Sequence, residues 1–139
     1  MTTAAHTATV SIGTTPYATR VTTGAHTFTA DEPGSLGGQD TGPDPYGLLL
    51  SALGTCTVIT VRMYADRKQW ALEGVTADLR HERFRTDDRP AERIDMDLTF
   101  AGDLSDEQRE RLLQIAGKCP VHKTITGDLR VGTKLVPAT

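Results

Sequence analysis

Aromatic residues are scarce: three Tyr, three Phe and one Trp make up 5% of the 139 residues. With so few, a lone chain of this length would bury a central apolar helix poorly, and a homodimer is expected. Cysteine is scarcer still, with two residues, which excludes a multiply cross-linked secreted scaffold. Positive charge is nearly missing from the first half, where Arg20 is the sole Lys or Arg before Arg62. With a net charge of −3, nothing supplies the basic surface that nucleic acid or an anionic membrane would require, so neither is expected as a partner. The opening stretch, Met1 to Ile12, lacks the basic and apolar regions of a secretory leader, so a cytoplasmic location is expected. The most apolar run, Tyr46 to Val61, is interrupted by Ser51, Gly54, Thr55, Cys56 and Thr57, and reads as too short and too polar for a membrane span.

What is present is ordinary globular composition, 37% hydrophobic and 24% charged, in a 15.0 kDa chain that suits one domain over residues 1–139. Thr7 to Gly13, Tyr17 to Thr23 and His26 to Asp31 are short, rich in Thr, Val, Tyr and Phe, and punctuated by Gly13 and Gly24; they predict an antiparallel meander. Glu32 to Pro43 is a long loop, of the kind that borders sites. Asp44 then fits an N-cap and Pro45 a first helical position, opening a helix that should run to about Lys68. Alternating residues predict half-buried strands over Val75 to Arg80 and Ile94 to Phe100, joined by a charged linker from Arg85 to Arg93. Ser105 and Gln108 form a capping box ahead of a helix with Leu112, Leu113 and Ala116 on its inner face and Gly117 at its end. Cys119-Pro120 starts another helix, and Leu129, Val131 and Thr133 suggest a last strand. This order gives an α+β fold in which helices cover antiparallel sheets.

The cysteines are the residues most able to carry chemistry. Cys56 on an apolar helix is either a small hydrophobic filler or a nucleophile, and the second role needs a cation or donor, because burial alone raises a thiol's pKa. Arg20, isolated as it is, is a candidate for that cation. Cys119 before Pro120 would sit at a helix N-cap, where free N–H groups and the nearby charges of Lys118 and Lys123 favour the thiolate; the alternative is a cysteine that merely precedes a turn. Cys119-Pro-Val-His122 is half of a metal-ligand spacing, but His6, His26 and His81 are scattered, so neither a metal nor another cofactor is expected. Gly37, Gly38 and Gly42 are turn glycines without the strand–loop–helix setting of a phosphate loop.

Two stretches resemble the OsmC/Ohr family, in its OsmC-like branch: Gly42 to Thr57 (GPDPYGLLLSALGTCT) followed by Arg62 to Lys68, and Gly117 to Thr124 (GKCPVHKT). The resemblance covers roughly Asp31 to Val131. It implies antiparallel sheets wrapped around a long central helix, in an intertwined homodimer with both cysteines of each site at the interface. It also implies thiol-dependent reduction of organic hydroperoxides in oxidative or osmotic stress defence. Cys56 would attack the peroxide, Cys119 would resolve the product as a disulfide, and a small dithiol or lipoyl-type reductant would restore the thiols. Family peroxidases carry a glutamate near the start of this helix; here the stretch reads Pro45-Tyr46-Gly47, and Asp44 lies about 120° round the helix from Cys56. The contrasting reading is a dimeric protein that binds small hydrophobic molecules or senses thiol oxidation.

Overall fold

The structure, a computed structural model, describes residues 6–138. By its internal contacts the chain divides into two compact units, Met1–Ser51 and Ala52–Thr139.

In the first unit, β1 (Thr9–Ile12), β2 (Thr19–Thr23) and β3 (His26–Ala30) form an antiparallel meander in sequence order. The three strands fall inside the segments expected from their Thr and Val content. The loop that follows, with a 3-10 turn at Gly34–Leu36, is organised by one carboxylate. Asp31, 3% exposed, accepts from the backbone N–H groups of Tyr17, Glu32, Gln39 and Thr41 and from the Thr41 hydroxyl. Those bonds hold its pKa down at about 2, the Thr41 hydroxyl contributing most and burial opposing it. Gly42 closes the loop against β3 so tightly that a β-carbon there would collide with the Thr29 carbonyl.

The long helix α1 is Pro45–Lys68, with Asp44 accepting from the Gly47 N–H at 3.1 Å as a cap. Both ends agree with the sequence expectation. Tyr46 to Val61, expected to be too short and polar for a bilayer, is part of a longer helix. The helix continues past Val61 to 24 residues, and its 18-residue window has a mean hydropathy of 1.5, enough to span a membrane by length and composition alone.

The second unit contains the rest of α1 and a long hairpin, β4 (Leu72–Thr86) and β5 (Arg89–Gly102). The charged linker expected between residues 85 and 93 is absent. Both strands run through it and turn at Asp87-Asp88, with φ of 47° and 63°. Positive φ at both central residues is the twist-matched two-residue turn, and aspartate tolerates it better than most residues. The charges read as a linker are cross-strand partners instead, Glu82 with Arg93 at 2.8 Å and His81 with Glu92 at 2.7 Å.

Helix α2 (Asp106–Ala116) opens with the expected capping box, Ser105 and Gln108 each bonding the other's backbone. It is pinned to the end of β5 by Arg109, which donates to the Phe100 and Gly102 carbonyls at 2.7 and 3.0 Å. Val61 and Ala65 of α1, Leu72, and Leu112 and Ala116 of α2 form the core, with Tyr64, Trp70, Val75, Leu98, Phe100 and Leu104 packed round it. Leu113, expected on the inner face, is 52% exposed, and Ile115 is buried in its stead. Gly54 lets α1 approach the hairpin: a β-carbon there would stand 2.8 Å from Leu79 Cδ1.

Helix α3 is Pro120–Thr126. Beyond it the expected last strand does not form: Leu129 and Val131 are exposed and belong to no strand among the described residues. Alternation makes a segment able to be a strand, but only a neighbouring backbone makes it one.

Candidate active site

Cys56 lies in the middle of α1 and Cys119 at the N-cap of α3, far apart in sequence, and their thiols lie close enough to act on each other's protonation. Both thiols are free. Cys119 is fully buried, whereas Cys56 is half-buried. Local chain chemistry sets both positions. Pro120 at the first turn of α3 stops the preceding backbone from continuing as helix, which leaves the Cys119 sulfur facing the open N–H groups of that turn. It accepts from the His122 N–H at 3.5 Å.

The two thiols differ electrically. Burial pushes the Cys56 thiol up, and donating its proton to Cys119 pushes it further; the Val121 N–H and Thr60 hydroxyl only partly offset this. Cys119 is also pushed up by burial, but that is outweighed by hydrogen bonds to its sulfur from Cys56, the His122 N–H, the Thr57 hydroxyl and the Val121 N–H, so its thiol lies below the ordinary value. The arrangement is an S–H of Cys56 held against a thiolate-prone sulfur of Cys119. Two thiols that act on each other in this way titrate as a pair.

The expectation that Cys119 is acidic at a helix start holds in direction, but hydrogen bonds supply the main effect rather than Lys118 and Lys123. The charge of Lys118 acts on the Tyr64 phenol. Arg20 stands in the middle of β2, opposite Ser11 and Thr29, exposed, in the first unit, whereas the thiols belong to the second. No acidic residue occupies the first turn of α1, and the Asp44 carboxylate is engaged in capping.

Thr57 and Thr60 were not singled out for chemistry from sequence. Thr57 is 1% exposed and its hydroxyl also bonds the Leu53 carbonyl at 2.9 Å, while Thr60 bonds the Cys56 carbonyl at 2.8 Å. A hydroxyl next to a helical cysteine, and another one turn beyond it, was the available signal.

A family model described as OsmC-like protein matches residues 38–134, a span that contains both cysteines and their motifs. The chain belongs to the OsmC-like family. Solved structures agree on the fold. An OsmC-like protein from Mycoplasma pneumoniae is 20% identical, with a TM-score of 0.74 over 88% of each chain. An organic hydroperoxide resistance protein OsmC from Legionella pneumophila is 20% identical, with a TM-score of 0.66 over 93% of this chain and 94% of that one. An organic hydroperoxide resistance protein from Elizabethkingia anophelis is 17% identical, with a TM-score of 0.69 over 92% of each. No curated protein matches the chain. OsmC/Ohr proteins are soluble, and the core helix of a soluble protein meets the same test of length and composition as a membrane span.

Proposed function

We propose that this OsmC-like protein reduces organic hydroperoxides to alcohols through Cys56 and Cys119, in the cytoplasm and as a homodimer. The observation that carries the reading is the contact between a half-exposed thiol and a fully buried one. Exposure assigns the attacking role to Cys56, because a peroxide reaches it without opening the core. Cys119, whose thiol is held below the ordinary value, is the group we assign to accept the Cys56 proton as the reaction begins.

The Cys56 thiolate attacks one peroxide oxygen, and the O–O bond breaks. The alkoxide takes up a proton and leaves as alcohol, and Cys56 becomes a sulfenic acid. Cys119 then attacks the Cys56 sulfur, an S–S bond forms, and the hydroxyl leaves as water. In sum, one hydroperoxide and two thiols give one alcohol, one water and one disulfide, which a small dithiol of the lipoyl type reduces. Arg20 is the cation we assign to stabilising the Cys56 thiolate; if Arg20→Ala leaves the alkylation rate of Cys56 unchanged, that assignment is wrong.

Mass spectrometry after one equivalent of cumene hydroperoxide tests the reaction. The unaltered protein loses two hydrogens, Cys119→Ser stops at sulfenic or sulfinic acid on Cys56, and Cys56→Ser stays reduced. Oxidation of Cys119 in Cys56→Ser as fast as in the unaltered protein reverses the roles. If neither thiol reacts faster than free cysteine, a dimeric protein binding small hydrophobic molecules replaces the enzyme; the missing helix-start carboxylate and the exposed Leu49, Ile59 and Met63 of α1 suit that reading.

A further inference from the structure

The two cysteines differ in what can reach them. Cys119 is 0% exposed, although it stands at the start of α3, a helix of seven residues none of which is buried. Cys56 is half-buried. One and two turns further along α1, on the same side, Ile59 and Met63 are exposed, so the approach to Cys56 stays open along the helix. They also differ in what supports a negative charge. The Cys119 sulfur accepts from the His122 N–H at 3.5 Å, in the first turn of α3, where backbone donors have no helical partner of their own. Cys56 stands mid-helix, where the N–H groups of its own helix are engaged in the i to i−4 ladder.

A disulfide is reduced by attack of a thiolate on one of its two sulfurs, and the other sulfur leaves. Access decides which sulfur is attacked, and the more acidic thiol is the better leaving group. These two requirements are independent and can oppose each other. Here they select the same direction: the reachable sulfur belongs to Cys56, and the sulfur with donors to receive its charge belongs to Cys119.

We propose that the reducing thiolate attacks the Cys56 sulfur and expels Cys119 as a thiolate at the α3 cap, so that only Cys56 is ever bonded to the reductant. This rests on the disulfide proposed above and adds the direction in which it is broken. An S–S bond forms between the reductant and Cys56 as the Cys56–Cys119 bond breaks, and the electron pair of that bond goes to the Cys119 sulfur. With a dithiol, the second thiol loses its proton and attacks the reductant's own sulfur in the mixed disulfide. Cys56 then departs as thiolate and takes up that proton. In sum, one dithiol is oxidised to its cyclic disulfide and one protein disulfide is reduced to two thiols. Cys119 thus attacks when the bond closes and leaves when it opens, without meeting a small molecule.

The test traps the first exchange. The full-length protein is oxidised with diamide to the intrachain disulfide, confirmed by the loss of two hydrogens. Diamide closes the bond without a hydroperoxide, so a failure of the peroxide chemistry leaves this test intact. The oxidised protein is then exposed briefly to 2-mercaptoethanol, a monothiol with no second sulfur to complete the reduction. Excess N-ethylmaleimide stops the reaction and labels the freed thiol, and peptide mapping by mass spectrometry locates both groups. Mercaptoethanol on Cys56 with maleimide on Cys119 should exceed the reverse pattern about ten-fold. In guanidinium chloride, where burial and the α3 cap are lost, the two patterns should approach parity. The proposal is overturned if mercaptoethanol is found on Cys119 as often as on Cys56 in the folded protein. It is also overturned if the preference persists unchanged on unfolding, or if diamide closes no intrachain disulfide.

Discussion

Oxidising the thiol pair should stabilise the fold by an amount that the chain length sets. The segment closed by a Cys56–Cys119 disulfide holds about 63 residues. Loop-closure entropy removed from the unfolded chain then amounts to about 4 kcal/mol at room temperature. Each kcal/mol raises the melting temperature of a chain this size by roughly 4 °C, so the oxidised protein should melt about 15 °C above the reduced one. Any native-state strain in the disulfide would subtract from this gain. The assay is differential scanning calorimetry of the two forms at equal protein concentration, since dimerisation would make the midpoint concentration-dependent. The oxidised sample must first show the two-hydrogen mass loss and run as a single chain on a non-reducing gel. A confirmed intrachain disulfide with no rise in melting temperature would refute the loop-closure reasoning. A covalent dimer on the gel would show that the reactive pair forms between chains.

Three further outcomes follow from packing and charge. Leu112→Ala, at a fully buried core position, should cost about 3 kcal/mol, seen as a lower urea midpoint with an unchanged slope. Ser105→Ala removes half of the capping box and should cost about 1 kcal/mol by the same measurement. The Asp31 carboxyl is held down at about 2 in the folded chain, so its contribution is complete above the ordinary carboxylate value near 3.8 and fades as pH falls toward 2. Asp31→Asn should therefore melt lower at neutral pH and lose less stability between about pH 4 and pH 2; a parallel loss in both proteins would mean that other carboxylates dominate the acid transition.

Legibility in the sequence tracked how local each cause is. The α1 boundaries follow from Asp44 and Pro45 at one end and the basic Arg67 and Lys68 at the other, and the Ser105 box needs only four consecutive residues. The tip of the hairpin was misread because its charges look solvated in one dimension and become partners only once two strands face each other. Leu113 and Ile115 exchanged places because a short helix offers two apolar stripes and tertiary packing chooses between them. At the site, the helix-start acidity of Cys119 was visible from Pro120 alone. The Thr57 hydroxyl near its sulfur was not, because that contact joins two helices far apart in the sequence.

Cys119 caps α3 with a sulfur where most helices use an oxygen. The acceptor sits at 3.5 Å from the His122 N–H, a long reach that suits a large, diffuse atom and makes a weak lock. Serine is among the preferred capping residues and would hold that turn at least as firmly. The Cys119→Ser variant is therefore a replacement that strengthens local architecture while deleting chemistry. If the chain turns over peroxide as proposed, loss of turnover in this variant belongs to the missing thiol and not to a weakened helix start.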